Sequence, residues 1–289
     1  VSTQILRTAE GWWVETGSRA IGVDTDAVTT AELLADRPAV AAAGRKDPST
    51  AIPVAELELV SPVTAPCRVV AQMVNYRSHA RDSGVDPDRV PITFFRKASG
   101  SISGPFDDIR TPSHVRLLDY EVEIGLVLGA EVPVGTRVTA ATLADVVAGL
   151  VITNDVSARD VQLPKTQFYE AKSYPTFTPL GPRLVLLDAT ELARFDELRL
   201  RTWVNGEIRQ DSTAGDMIAG PVQTLAVLTA FQRLSPGDVL LTGTPGGTAL
   251  RAPAKPVELI GNLLPAHLKW KTFFRRQSAN PRYLRDGDV

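Results

Sequence analysis

The apolar positions of this chain fall in short runs broken by Gly, Pro and Asn, with few stretches at helical spacing. Such runs predict strands joined by tight turns. The longest is Leu118-Asp119-Tyr120-Glu121-Val122-Glu123-Ile124-Gly125-Leu126-Val127-Leu128, closed by Gly129. Residues 69–74, 91–97, 148–153, 184–187 and 198–204 read the same way. Asn205-Gly206 is a hairpin signal, with 207–210 as the return strand. Residues 239–241 run into a glycine-rich loop ending at Gly247, and Pro179-Leu180-Gly181-Pro182 reads as punctuation. Helical spacing predicts a helix over 221–231 and short helices over 30–34 and after Asn75, the latter stopped at Gly84. Residues 142–150 fit helix or strand, and 54–60 fit an extended or helical piece. Residues 11–23 predict two short strands about a turn. The Pro-rich segment 61–66 divides a small N-terminal unit, 1–65, from a main domain, 66–289.

Composition narrows the class. A chain of 289 residues buries enough surface to need no staple, and its single Cys67 excludes an internal disulfide framework. Cys67 is expected as a small buried filler in a protein of the reducing cytoplasm. A net charge of −2 leaves no footprint for nucleic acid or an anionic membrane. No signal peptide is read in 1–10, and no apolar run approaches the roughly 20 residues of a membrane span. Twenty-one Pro and 21 Gly fit the many turns of a β-rich fold.

The chemistry begins with Glu121 and Glu123. Strand side chains alternate faces, so the two point the same way, and two carboxylates on an apolar strand call for something positive between them. A solvent-facing polar edge with a basic residue across the ladder would also satisfy the pattern. Asp155 follows the apolar run 148–153 and supplies a third oxygen donor. Three carboxylates with no Cys or His nearby suit Mg²⁺ or Mn²⁺. His79 and Asp82 are three apart, so one helical turn brings them together as a base held by an acid, or as a plain surface pair. Arg159 and Gln162 share the same spacing after Asp155, the arginine offering a fork to a carboxylate. The 239–247 stretch lacks the ending of a P-loop, but its backbone suits close approach to an anion, and Thr244 offers a hydroxyl.

These residues resemble the fumarylacetoacetate hydrolase family, in its shorter bacterial branch. The matching segments are NYRSHA (75–80), LDYEVEIGLVLG (118–129), NDVSARDVQ (154–162), KSYPTFTPLGP (172–182) and PGDVLLTGTPGG (236–247), in the family's order. The resemblance implies an α+β fold dominated by a mixed or antiparallel β-roll, with the N-terminal unit as an appendage and a homodimer as the assembly. It implies a metal triad of Glu121, Glu123 and Asp155, a His79–Asp82 pair (the family more often has Glu at the second place), and Lys172 facing a substrate carbonyl. Arg159, Gln162 and Thr244 are the implied substrate contacts, and Lys97 a further anion contact. The expected activity is Mg²⁺-dependent hydrolysis of a C–C bond in an acylpyruvate or β-diketo acid. Decarboxylation of oxaloacetate, or isomerisation and hydration of catechol-pathway dienoates in aromatic catabolism, are alternatives on the same site. A binding protein with a relic site is the alternative of another class. After Gly247 the chain departs from the family: 248–285 is longer and basic, 286–289 resembles a second turn, and the family's closing strands are not recognised.

Overall fold

The computed structural model describes residues 2–252 and 265–289, without the side chains of residues 266 and 267. Among the described residues, eleven strands form one mixed sheet. From one edge to the other run Ile52–Pro53, Arg19–Gly22, Trp12–Thr16, Thr3–Arg7, Thr178–Leu186, Val147–Asn154, Val122–Leu128, Val239–Leu241, Val69–Gln72 and Phe94–Lys97. Ile102–Ser103 lies beside Thr178–Leu186 in parallel, and Val239–Leu241 is parallel to Val69–Gln72. Two small antiparallel ladders stand apart: Leu118–Asp119 with Ser157–Ala158, and the hairpin Arg199–Val204 with Glu207–Thr213. Helices are few and short, and none among the described residues is long and apolar enough to cross a membrane.

Every residue of Val122–Leu128 is buried, which explains its near-continuous apolar run. Gly125 is required at its centre, because a Cβ there would lie 2.8 Å from Val151 Cγ1 and 3.0 Å from Val239 Cγ1. One face of the sheet packs Val127, Val151 and Leu184 with Ile5, Trp12, Leu33 and Leu34. The other packs Leu126, Leu128 and Leu150 with Leu225, Leu228 and Phe195. Each such side chain contributes roughly 1.5–3 kcal/mol by leaving water. The first 65 residues, expected as a separate unit, therefore continue the same sheet and share its core, through the pairing of Thr3–Arg7 with Thr178–Leu186.

Several local expectations change in detail. The run 118–128 is broken at Tyr120–Glu121 into two strands. The Pro-Leu-Gly-Pro punctuation lies inside the strand Thr178–Leu186, where Gly181 takes a φ of +113° and the register against Val147–Asn154 shifts. Residues 142–150 are both things in turn, a helical turn Leu143–Val146 and then a strand. The hairpin turn has φ of 53° at Asn205 and 78° at Gly206, the left-handed pair a tight β-hairpin needs. The helix Arg77–Asp82 ends where the glycine signal places it: Gly84 (φ 74°) donates its N–H to the Arg81 carbonyl and Val85 donates to Ala80. Residues 253–264 of the basic tail lie outside the described residues. Beyond them, the helix Ala266–Gln277 and the last turn fold back on the main domain. There Leu284 bridges to Leu118, and Asn205 exchanges hydrogen bonds with Val289.

Candidate active site

The site forms where the central strand breaks. The Glu121 N–H donates to the Asn154 side-chain oxygen at 2.8 Å, and the Asp155 N–H donates to the Glu121 carbonyl at 2.7 Å. A side chain thus replaces one rung of the ladder and swings Glu121 toward Asp155. Two residues on, Glu123 pairs with Thr153 in regular register. Glu121, Glu123 and Asp155 are all buried, and one carboxylate oxygen from each lies within 4.8 Å of the others. An all-oxygen, three-carboxylate donor set fits a hard divalent cation, Mg²⁺ or Mn²⁺. Cys67 packs against the core that holds Val127 and Val151 and is not part of the donor cluster.

Cations surround this cluster on one side. Lys172 Nζ lies 2.6 Å from Glu121 Oε2 and 2.6 Å from Asp155 Oδ2, with Phe95 under it at 5.3 Å. Lys97, wholly buried, donates to Asp155 Oδ1 and to the Phe177 carbonyl at 2.8 Å. Arg159 donates from Nε to Asp119 at 2.8 Å, from one terminal nitrogen to Glu121 and from the other to Gln162 Oε1 at 2.9 Å. Burial alone would raise the Glu121 carboxyl, but Lys172 and Arg159 reverse this and hold it well below the usual range. Burial, reinforced by Asp155 and Glu121, pushes Glu123 well above it. Lys172 rises because Asp155 and Glu121 outweigh its burial, whereas burial wins at Lys97.

His79 stands within electrostatic reach of Glu121, Arg159, Lys172 and Asp119, and burial lowers its imidazole below its ordinary value. Its Nδ1 is buried with no hydrogen-bond partner. The anticipated contact with Asp82 is not made: Asp82 Oδ2 accepts the Gly247 N–H at 3.0 Å instead. The glycine-rich loop gives two more N–H groups to the protein, Gly243 to Glu123 at 2.7 Å and Gly246 to Ser78 Oγ at 2.9 Å. The three glycine N–H groups are thus satisfied by internal oxygens. Thr244 Oγ1 accepts from Gln210 Nε2 at 2.8 Å.

The structure therefore brings Glu121, Glu123, Asp155, Lys172, Arg159, Gln162 and His79 to one place. It turns the Arg159 fork inward, onto Asp119, Glu121 and Gln162, where the sequence suggested a substrate clamp. Sequence reasoning left Lys97 as an anion contact and did not single out Asp119. Asp119 is fully buried and also accepts the backbone N–H of Ala249 and Leu250 at 2.8 and 3.1 Å. The alternation that joined 121 to 123 extends back to 119, so a signal was present. Asn154 and Asp216, which accepts from Ser78, had none.

Comparison with known proteins shows which family the chain resembles. The family described as fumarylacetoacetate (FAA) hydrolase C-terminal matches residues 68–289. A mitochondrial oxaloacetate tautomerase of Rattus norvegicus is 38% identical over 200 residues, 69% of this chain; the chain spans 62% of that relative's length. Among solved structures, a fumarylacetoacetate hydrolase from Exiguobacterium antarcticum superposes with a TM-score of 0.70 at 28% identity, covering 100% of this chain and 93% of that one. A 2-hydroxyhepta-2,4-diene-1,7-dioate isomerase from Mycobacterium marinum does so with a TM-score of 0.67 at 26% identity, covering 86% and 88%. With the match spanning residues 68–289 and the carboxylate triad inside it, the chain belongs to the fumarylacetoacetate hydrolase family.

Proposed function

We propose that this chain is a divalent-metal-dependent enzyme that moves a proton beside the carbonyl of a small 2-keto acid, interconverting its keto and enol forms. The observation that carries this is His79: a base whose Nδ1 is buried without a partner, beside three buried carboxylates. Its lowered pKa leaves the imidazole neutral near pH 7, ready to accept a proton. Glu121, Glu123 and Asp155 would hold Mg²⁺ or Mn²⁺, which supplies Lewis-acid polarisation of the keto oxygen when bound. His79 takes the proton from the carbon next to that carbonyl. Lys172, an ammonium fixed by two carboxylates, offsets the negative charge that gathers on oxygen. His79 then returns the proton to oxygen, or the reverse sequence runs. No water is consumed. The name of the rat relative makes oxaloacetate the first substrate to try.

Hydrolysis of an acylpyruvate or β-diketo acid is the second reading, supported by the likeness to the Exiguobacterium hydrolase. There His79 would deprotonate a water. That task gains from a carboxylate orienting the imidazole, and Asp82 is engaged elsewhere. Decarboxylation of oxaloacetate would use the triad and leave His79 a smaller part. We place the enzyme in a reducing cytoplasm as a homodimer, which light scattering tests directly. The deciding experiment follows loss of enol-oxaloacetate absorbance and acylpyruvate cleavage side by side, with Mg²⁺. His79→Ala should lower the tautomerase rate on the order of 10²–10⁴-fold. Tautomerisation near wild type in that variant overturns the proposal. Wild-type cleavage that outpaces tautomerisation, and falls with His79, makes the hydrolase reading the correct one.

A further inference from the structure

The acid three residues after His79 has a different task from the one its spacing suggests. The helix Arg77–Asp82 does carry both side chains, but the Asp82 carboxylate faces the glycine-rich loop and accepts the Gly247 N–H. Ser78, one residue before His79, does the same for Gly246. Ser78 is itself held, because Asp216 Oδ2 accepts both its hydroxyl and its N–H, the latter at 3.0 Å. Asp216 sits in the helical turn that follows the hairpin strand Glu207–Thr213. At its other end the loop donates the Gly243 N–H to Glu123. One short loop therefore links a metal-site carboxylate to the helix that carries the candidate base.

The loop has little room to adjust. Gly243 has φ +87°, and a Cβ there would lie 2.7 Å from Asn75 Cβ. Gly247 has φ +103°, and a Cβ would lie 2.3 Å from the Arg209 carbonyl oxygen. A Cβ on Gly246 would meet Asp82 Oδ2 at 3.0 Å and Ser78 Cβ at 3.1 Å. Backbone is pressed against helix, and the two side-chain acceptors fix the spacing.

We infer that Asp82 is a positioning residue for the Gly246–Gly247 loop, acting with Ser78 and Asp216 to set the distance between Glu123 and the His79 helix, and not the orienter of the His79 ring. The kinetic part of this inference rests on the proposed keto-acid chemistry; the structural part does not. In this arrangement what matters at position 82 is an oxygen acceptor of aspartate's reach, not its charge.

The test uses the full chain with Asp82→Asn, Asp82→Ala and Asp82→Glu. Amide exchange over residues 243–250, without substrate, is read by mass spectrometry, and kcat and KM are read with enol-oxaloacetate and Mg²⁺. Asp82→Ala should speed exchange in that segment about tenfold, as expected for one lost part-buried hydrogen bond, and should raise KM more than it lowers kcat. Asp82→Asn keeps an acceptor oxygen and should keep most of the protection and of kcat/KM. Asp82→Glu, one methylene longer against a loop already in contact, should lose more than Asp82→Asn. The opposite order overturns the inference: Asp82→Asn as damaged as Asp82→Ala, Asp82→Glu close to wild type, and exchange over 243–250 unchanged in all three. If Asp82→Ala does not fold, Ser78→Ala removes the neighbouring acceptor, and unchanged exchange there overturns it equally. Should the wild-type protein turn over no keto acid, the proposed function fails, while the exchange data still decide the role of Asp82.

Discussion

The buried cluster has two sides that differ in how they hold a carboxylate. On one side Glu121 and Asp119 face the guanidinium of Arg159, and Glu121 shares Lys172 with Asp155. On the other, Glu123 receives the backbone N–H of Gly243 and, among the described residues, no ion pair with a cation of its own. Two glutamates on the same strand face thus have their carboxyls driven in opposite directions, Glu121 down and Glu123 up. Glu121 is a charge the apo protein already needs. Glu123 is a charge that only an added cation makes comfortable. Strand periodicity treats the pair as equivalent ligands; the surroundings make one a fixed anchor and the other a buried carboxylate that a bound cation would stabilise.

Neutralising each in turn should break that equivalence, with the largest effect of any change considered. Glu121→Gln leaves Arg159 and Lys172 short of a buried partner, so apo stability should fall by about 3–5 kcal/mol. Glu123→Gln removes an ionisation that burial opposes, so apo stability should stay within about 1 kcal/mol of wild type or rise. Both should lose Mg²⁺ binding. Urea unfolding and calorimetric Mg²⁺ titration read the two quantities separately. Equal destabilisation by the two variants would end the distinction, and full Mg²⁺ binding by either would remove the triad.

The cationic side can be sharpened through Arg159. Its guanidinium engages Asp119, Glu121 and Gln162 at once, a geometry that an ammonium cannot reproduce. Arg159→Lys should therefore weaken Mg²⁺ binding about 10–100-fold, as loss of a ligand's supporting hydrogen bonds does. A substrate clamp would behave otherwise, with KM rising and the Mg²⁺ titration unmoved. Calorimetry without substrate, set beside KM, separates the two.

The same contrast explains what the sequence made legible. Strands such as Val69–Gln72, Val122–Leu128 and Val239–Leu241, the hairpin at Asn205-Gly206 and the carboxylate cluster follow from local rules of alternation, turn residues and donor chemistry. The break at Tyr120–Glu121 was hidden, because it depends on Asn154, which is 33 residues away and replaces a ladder bond. The role of Asp82 was hidden for the same reason: its partner Gly247 is 165 residues distant, and a spacing of three on a helix says which side chains are near, not which way they turn. Thr3–Arg7 gave no local sign that it would pair with Thr178–Leu186 and merge the first 65 residues into the main sheet. Lys97 carried no local sign that it would be buried, because its burial is created by Asp155 and Phe177, from other parts of the chain.

The smallest effect belongs to the far side of the hairpin, where the end of the chain is clasped. Asn205 serves two purposes: its backbone takes a φ of 53°, and its side chain donates to Asp288 at 2.7 Å and accepts the Val289 N–H at 2.9 Å. Asn205→Gly keeps the turn, since glycine adopts that φ freely, and removes only the clasp. Amide exchange over 285–289 should then rise about tenfold or less, as for one or two exposed hydrogen bonds. Mg²⁺ affinity should stay within about twofold, because distant sites with no shared partners act independently. Asn205→Ala loses the clasp and also strains the turn, adding roughly 1–2 kcal/mol. If Asn205→Gly weakens Mg²⁺ binding as Arg159→Lys does, the tail reaches the triad. The path would run through Arg282, whose guanidinium donates to the Gly247 carbonyl at 2.7 Å in the loop that holds Glu123.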